Sequence, residues 1–556
     1  MLNHDFIINK FLKKLIQYNV KNIVISPGSR STPIVNNILK NKQYFNLKLV
    51  LDERSAAFFA LGISKYTKYP TVLICTSGTS TLNYSPAVAE AYYSRIPLIV
   101  ITADRPMEYR GSGINQTLNQ SNIYKNNINW FYDVPIATYS PNFISNVAYK
   151  SILKSISDNK GPVHINWQLE EPFTDGEIQT IKELDVDDIN DLKPKKISNN
   201  KNNFLKLVKD KKGIILVGEN DNNHLEIIDL AKILNWPIIA DPLSNLRQKN
   251  NYKNATIVDT GDLIFRTNKF IDIDTVIHIG ALPVSKYILN NLLKANSHIF
   301  FEESNNINEG LFNIDLHIQD NFKLFIDELK SKNKLNPDNL WKNKFKKINE
   351  SIRIIIEKMD HDFDEIKFKK ILIAKLSAES IFISGNSLSI RILDIILNKS
   401  KSVNFVGNRG LSGIDGNIAM ASGFSSMVET PVYLDLGDLA FFHDSSSLIT
   451  SIRNAKNLTI IVNNNQGGQI FSLLSQAKDL KEIYDEWFIT SHEKFSIKNI
   501  SEGFGCKYYN PNNQKEFEEI LLSSSKIKGT KVIELNFKNS DYTKFNNYIK
   551  DITNNV

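Results

Sequence analysis

Short apolar runs that do not alternate with polar residues recur along the whole chain. Each is followed by a polar turn and a stretch long enough for a helix. They are NIVIS (22–26), TVLICT (71–76), PLIVITA (97–103), GIILVG (213–218), TVIHIG (275–280), SIFISG (380–385), PVYLDLG (431–437) and LTIIVNN (458–464). A strand with one wet face alternates; a continuous apolar run has both faces covered. The helix-length segments supply that cover, so the pattern predicts α/β units on parallel sheets. At 556 residues the chain exceeds one ordinary core. Two charged, Asn-rich stretches, 176–206 and 330–350, break the rhythm and read as linkers or surface connections. They divide the chain into units at 1–180, 200–330 and 350–556.

Composition narrows the class. Hydrophobic residues at 42% and charged residues at 23% describe a globular chain. The net charge of +7 accompanies an abundance of Asn, Lys and Ile, and its lysines are dispersed rather than gathered into an arm for nucleic acid. Two cysteines, Cys75 and Cys506, cannot build a disulfide framework or a four-thiolate zinc site, and Cys75 ends an apolar run as a core residue would. The N-terminal MLNHDFIINKFLKKLIQYNV reads as an amphipathic helix, and no apolar run is long enough to span a bilayer. The expected setting is the cytoplasm.

The chemistry gathers at strand ends. Asp438 follows PVYLDLG. A segment with Leu448, Ile449, Ile452 and Ala455 on one helical face comes next, with Asp444 and Ser445 as caps, and LTIIV then ends in Asn463-Asn464-Asn465-Gln466-Gly467-Gly468. One strand–helix–strand crossover returns the chain to the same sheet edge, so Asp438 and the Asn-Gly run meet there. A carboxylate, an amide oxygen and backbone carbonyls are hard ligands suited to magnesium and phosphate oxygens. Glycines let the backbone approach a diphosphate. Each element alone is an ordinary turn; the pair, one crossover apart, is not. Glu53 follows LKLVL and opens the apolar SAAFFALGISKY, where a partly dry carboxyl can have a raised pKa. His443, in FFHD, receives no catalytic role.

The Asp438 and Asn-Gly pair resembles the cofactor motif of thiamine diphosphate enzymes, with Leu439 standing where that motif usually has glycine. SPGSRSTP (26–33), DERSAAFFALG (52–62), TSGTSTLNYSPAVAEA (76–91), ITADRP (101–106), GINQT (113–117), GNSLSIR (385–391), GNRGLSGIDG (407–416) and NNNQGGQIFSLL (463–474) together resemble the MenD family of SEPHCHC synthases. The likeness is specific in both outer units and weak in the middle one. It implies a pyrimidine-binding domain, a middle domain and a diphosphate-binding domain, all of parallel-sheet α/β type. It implies thiamine diphosphate with Mg2+ or Mn2+ held by Asp438, Asn465 and the Gly467 carbonyl; Asn464 stays open as the ligand, since three consecutive asparagines leave the register free by one. Glu53 would be the catalytic group at the aminopyrimidine, and Ile414 the wedge beneath the cofactor. Arg30, Arg105, Arg391 and Arg409 would take substrate carboxylates, with Asn115, Gln116 and Ser387 adding hydrogen bonds and Lys286 a further cation. The implied reaction decarboxylates 2-oxoglutarate and adds the succinyl unit to isochorismate, in menaquinone or phylloquinone biosynthesis. A homodimer or homotetramer with sites between subunits is implied as well. Two other readings compete: an acetohydroxyacid-synthase-like lyase, and a noncatalytic nucleotide- or flavin-binding protein, for which no G-x-G-x-x-G follows a strand.

Overall fold

The structure is a computed structural model. It describes residues 4–555 except 137–139, 158, 172, 174–179, 182–199, 222–223, 248–251, 253–254, 268–271, 303–309, 311–312, 331–333, 337–338, 359–363, 399–402, 478, 493 and 538–541. The apolar runs are strands of three six-stranded sheets, and every pairing among the described residues is parallel.

The first sheet contains β1 (Asn22–Ile25), β2 (Asn46–Leu49), β3 (Thr71–Cys75), β4 (Leu98–Asp104), β5 (Trp130–Val134) and β6 (Pro162–Gln168), in the order β2-β1-β3-β4-β6-β5. The second contains β7 (Gly213–Val217), β8 (Ile238–Ala240), β9 (Ile257–Val258), β10 (Thr275–Ile279), β11 (Ser297–Phe301) and β12 (Leu316–Ile318), in the order β12-β11-β10-β7-β8-β9. The third contains β13 (Ile381–Ser384), β14 (Asn404–Gly407), β15 (Val432–Gly437), β16 (Asn457–Asn464), β17 (Lys507–Tyr509) and β18 (Gly529–Asn536), in the order β14-β13-β15-β16-β18-β17. The outer sheets therefore share one strand order. In each, the chain reverses direction between the first and third strands, and the crevice beyond the carboxyl ends of those strands is where such sheets bind ligands.

The two outer sheets share a single apolar core. Its centre is the helix Glu53–Thr67 packed along the helix Asn417–Met427, with Phe58, Phe59, Leu61 and Ile63 against Ile418, Met420 and Phe424. The helices touch backbone to backbone. A Cβ on Gly62 would lie 2.2 Å from the carbonyl oxygen of Met420, and one on Gly423 would lie 2.3 Å from that of Phe59. Lys65, buried on the first helix, donates to the Gly407 carbonyl at 2.5 Å and pairs with Glu219 at 2.8 Å, tying all three sheets together.

Several local expectations change. The second supposed linker, 330–350, instead runs from residue 340 into the helix Leu340–Lys358, because Phe345, Ile352 and Ile356 fall on one helical stripe and are buried. Most of the first, 176–206, lies outside the described residues, but Lys201–Val208 is helical and buries Phe204 and Val208. The helix Leu448–Asn454 buries Leu448, Thr450 and Ser451, whereas Ile449 and Ile452 are exposed; the buried face is rotated from the expected one, since small polar residues pack closest to the sheet. The amphipathic N-terminal helix is His4–Gln17, and Cys75 is fully buried. Among the described residues no helix is long and apolar enough to cross a membrane.

The helix contact yields a prediction. Alanine normally stabilises a helix relative to glycine by about 1 kcal/mol, but Gly62→Ala drives a Cβ into the Met420 carbonyl. Its thermal midpoint should fall by roughly 3–10 °C. Gly503→Ala, where a Cβ meets nothing within 4 Å, should not lower it. Calorimetry of both variants checks the contrast; equal midpoints would remove the close contact from the account.

Candidate functional site

Register builds the first part of the site. Gly437 at the end of β15 pairs with Asn463 in β16, so Asp438 emerges beside the Asn-Gly run. The Asp438 carboxylate is buried and accepts from the backbone N–H of Leu439 at 2.7 Å and of Gly467 at 2.9 Å. Its Oδ2 also lies 2.8 Å from Nε2 of His492. Leu439 sits in ordinary right-handed helix, so the position that is usually glycine in the motif needs no glycine here.

The three asparagines have three different partners. Asn463 donates to Asp435 Oδ1 at 2.7 Å, and Asp435 is itself paired with the buried Lys369 at 2.7 Å. Asn464 donates to Glu534 Oε1 at 2.5 Å, while its oxygen accepts from Gln466 Nε2 at 2.9 Å. That leaves Asn465, whose Oδ1 is buried with no hydrogen-bond partner. An unpaired buried amide oxygen is costly unless something occupies it. Gln466 (φ 61°) and Gly467 (φ 121°) then turn the backbone back, and a Cβ at Gly467 would stand 2.1 Å from the Ile489 carbonyl oxygen. The Gly467 carbonyl accepts from Gln469 N at 2.9 Å and keeps a second lone pair. Asp438 after β15 and Asn465 and Gly467 after β16 thus bring hard oxygens to one sheet edge, the kind a divalent cation requires.

The second part comes from the first sheet. Glu53 is half-buried in the first turn of its helix, which is capped by Asp52 accepting from Ser55 N at 3.2 Å. Its neighbours grip the segment following Asp438. Asp52 accepts from Ser446 Oγ at 3.0 Å, Arg54 donates to the His443 carbonyl at 3.0 Å, and the Ser55 and Ser447 hydroxyls meet at 2.6 Å. Gly413–Gly416, after β14, occupies the place in the third sheet that Glu53 occupies after β2 in the first. Ile414 there is 41% exposed, and its carbonyl accepts from Asn417 at 2.8 Å. The His443 side chain is exposed. Asp444, expected to cap the helix that follows it, instead caps Asn417–Met427, accepting from Ile418 N at 2.7 Å and Ala419 N at 3.1 Å.

The arginines form two pairs. Arg105 donates to Ser77 Oγ at 2.9 Å and to the Gln116 carbonyl at 2.8 Å, and Gln116 donates back to the Ser77 carbonyl at 3.1 Å. Arg30 donates to the Leu169 carbonyl at 3.2 Å and lies 4.7 Å from the Phe173 ring. Burial and then the charge of Arg105 lower its pKa. In the third sheet Arg391 donates to the Ser387 carbonyl at 2.6 Å, and Arg409 to Asn386 Oδ1 at 2.9 Å. Burial lowers both pKa values, and Arg409 further lowers that of Arg391. Like charges held together away from water favour an anion between them. Among the described residues no hydrogen bond or ion pair joins one arginine pair to the other. Asn115 is exposed, Ser387 holds a positive φ of 67° before its helix, and Lys286 is exposed, 5.5 Å from the Tyr287 ring.

Sequence reasoning missed several partners. His492 is a lone histidine in a polar stretch and carried no signal. Asp435 did carry one, because a carboxylate inside an apolar strand requires a buried counter-charge, here Lys369. Ser77, Asn386 and Glu534 reach the site only through the fold.

Residues 8–123 match the family described as "Thiamine pyrophosphate enzyme, N-terminal TPP binding domain". Residues 189–383 match "Middle domain of thiamine pyrophosphate", and 393–535 match "Thiamine pyrophosphate enzyme, C-terminal TPP binding domain". The chain is 34% identical to the 2-succinyl-5-enolpyruvyl-6-hydroxy-3-cyclohexene-1-carboxylate synthase of Staphylococcus haemolyticus, covering 88% of each. It is 33% identical to the protein of the same name from Listeria innocua, covering 96% of each. Among solved structures, a benzoylformate decarboxylase from Polynucleobacter necessarius superposes with a TM-score of 0.73 at 15% identity, over 96% of this chain and 99% of that one. That likeness speaks for the fold alone.

Asp444 gives a pH prediction. Burial is the largest cause raising its pKa, to about 6, above the usual carboxylate value near 4. The protonated form is therefore the one the fold favours. The stability this contributes is full below about pH 4 and is lost as pH rises through 6. An amide at this position mimics the protonated form, so wild type should lose up to about 3 kcal/mol relative to Asp444→Asn between pH 4 and 7. Thermal unfolding of both proteins across that range checks it; a constant difference would refute it.

Proposed function

The chain belongs to the 2-succinyl-5-enolpyruvyl-6-hydroxy-3-cyclohexene-1-carboxylate synthase family of thiamine pyrophosphate enzymes, and on that premise we propose how its residues divide the work. It is a transferase using thiamine diphosphate to decarboxylate 2-oxoglutarate and add the succinyl unit 1,4 to isochorismate, a step of menaquinone biosynthesis. The readings as an acetohydroxyacid-synthase-like lyase and as a noncatalytic nucleotide- or flavin-binding protein give way to it.

The observation that carries the cofactor placement is the buried, unpaired Asn465 Oδ1, two residues before Gly467, whose N–H binds the Asp438 carboxylate. These residues fit a Mg2+ or Mn2+ ion bridging to a diphosphate: Asp438 supplies charge, Asn465 and the Gly467 carbonyl supply neutral oxygens, and Asn464 is already committed to Glu534 and Gln466. Thiamine diphosphate, when bound, supplies a thiazolium carbon that adds to a 2-oxo acid and holds the electron pair left by decarboxylation. Glu53 would hold the proton shared with an aminopyrimidine nitrogen, and exposed Ile414 would pack against the cofactor. The arginine pairs receive the substrate carboxylates, with Asn115, Gln116 and Ser387 fixing orientation and Lys286 at the margin. A homodimer or homotetramer would bring Arg30 and Arg105 of one chain toward Arg391 and Arg409 of another. Support comes from exposed Leu49, Leu51, Leu82, Leu411 and Ile414, which lie in the two outer units. Two buried free cysteines suit the reducing cytoplasm. The three domains are read as 1–180, 200–330 and 350–556.

The reaction is tested by mass analysis of the product from 2-oxoglutarate and isochorismate, with pyruvate as the control substrate; a product from pyruvate alone would favour the lyase. Glu53→Gln should lower turnover about 10²–10⁴-fold, and Asp438→Ala should abolish the thermal shift that cofactor plus Mg2+ confers. If sites form between chains, mixing and reassociating these two inactive variants restores activity, because half the sites of a mixed dimer carry neither lesion. No recovery despite subunit exchange would place each site within one chain. Separately, Arg391→Ala and Arg409→Ala should retain the cofactor-induced shift while kcat/KM falls by about tenfold or more, since a buried carboxylate loses its partner. Wild-type kinetics in both variants would end their assignment to substrate.

A further inference from the structure

The loop between β14 and the helix Asn417–Met427 carries Arg409, and a carboxylate from the first sheet's side holds it. Glu90 lies on the helix Ser85–Tyr93, between β3 and β4, and is 3% exposed. Its Oε1 accepts from the backbone N–H of Gly410 at 2.8 Å and from the Ser94 hydroxyl at 2.6 Å. Its Oε2 accepts from the backbone N–H of Leu411 at 2.7 Å. A carboxylate is costly to bury unless hydrogen bonds satisfy it, and here two successive backbone donors and a hydroxyl do so. Those backbone donors stand directly after Arg409. The fit is close: a Cβ at Gly410 would lie 2.5 Å from Ser94 Oγ, and 2.9 Å from both the carbonyl oxygen and Oε1 of Glu90. Glycine lets the loop come near enough for Glu90 to bind it.

The other side of the loop belongs to Asn386, after β13. Its Nδ2 donates to the Asn408 carbonyl at 3.0 Å and the Gly413 carbonyl at 2.8 Å, while its Oδ1 accepts from the Arg409 guanidinium at 2.9 Å. The loop is thus slung between two sheets, with Asn386 gripping its ends and Glu90 its middle. Both oxygens of Glu90 are taken by the backbone and Ser94, so it acts on the path of the chain leaving Arg409.

We propose that Glu90 is a positioning residue: by holding Gly410 and Leu411 it aims the Arg409 guanidinium at a substrate carboxylate. This rests on the reading of Arg409 as a substrate residue. A planar guanidinium pairs with a carboxylate bidentately only in a narrow geometry. A displacement of about 1 Å in a positioning group can cost about 100-fold in rate.

The test is a double-mutant cycle in kcat/KM for 2-oxoglutarate and isochorismate, with thermal unfolding in the presence and absence of thiamine diphosphate plus Mg2+. Glu90→Gln keeps the side chain's size but offers one oxygen to two N–H groups and turns its NH2 on the other. It should retain the cofactor-induced thermal shift and lose about 10–100-fold in kcat/KM for at least one substrate. On an Arg409→Ala background the same change should cost less than about threefold, because no guanidinium remains to be aimed. A similar large loss on both backgrounds, or loss of the cofactor-induced shift, would make Glu90 a general support of the fold and overturn the proposal. Unchanged kinetics in Glu90→Gln, with a large loss in Arg409→Ala, would overturn it while leaving Arg409 as a substrate residue. Wild-type kinetics in Arg409→Ala would instead overturn the reading beneath it. Should Glu90→Gln fail to fold, Gly410→Ala, which pushes the loop off an intact carboxylate, is held to the same criteria.

Discussion

Two glycines let two helices touch, and the active region depends on that contact. Gly62 and Gly423 bring the helix Glu53–Thr67 against Asn417–Met427 with backbone atoms at van der Waals range. The outer sheets consequently share one core instead of owning two, and the carboxyl edges of both sheets are held in register. Everything at the helix starts follows from this. The residues flanking Glu53 meet 443–447, and Asp444 reaches back to cap the partner helix. Lys65 carries the same constraint to the second sheet. Since close-packed interiors relax little, a small change at the crossing is felt at both ends.

The same strand order appears in the first and third sheets, and each edge carries its own set of charged groups. In the third sheet the edge carries Asp438 and the asparagine run, with Asp435 and Lys369 buried behind them. In the first, the edge carries Arg30, Ser77 and Arg105, beside a buried cluster in which Arg110 bridges Asp104 and Asp133 at 2.9 Å each. Arg391 and Arg409 also lie on the third sheet, after β13 and β14. Burial lowers the pKa of Arg30, Arg391 and Arg409, so the arginines are charged at an electrostatic cost that an anionic ligand would offset.

Specificity at the metal loop is a matter of exhausting alternatives. Three consecutive asparagines are chemically identical, yet the groups that reach them differ. Asn463 and Asn464 donate to carboxylates and are consumed in structure. Asn465 leaves its side-chain oxygen buried and unpaired. Buried polar networks behave this way when every member but one is satisfied: the exception marks where something else binds.

How much of this is legible without coordinates varies with the range of the interaction. The apolar runs name the strands, because a doubly covered parallel strand has a local signature that needs no tertiary context. Asp438 and the Asn-Gly run can be placed together because one right-handed crossover fixes their geometry. The helix at 340–358 reads as a linker because its charged residues outnumber a stripe of three buried ones, and the exposed Ile449 and Ile452 read as core because hydrophobicity alone does not reveal which face is covered. His492 and Glu534 lie tens of residues from Asp438 and Asn464, which they touch. Local pattern was enough for three parallel-sheet units and for Asp438 and the Asn-Gly run meeting one crossover apart. Which asparagine keeps a free oxygen, and the gathering of the arginines into two pairs, emerged only on folding, because those outcomes depend on which distant side chains arrive to take up each hydrogen bond and charge.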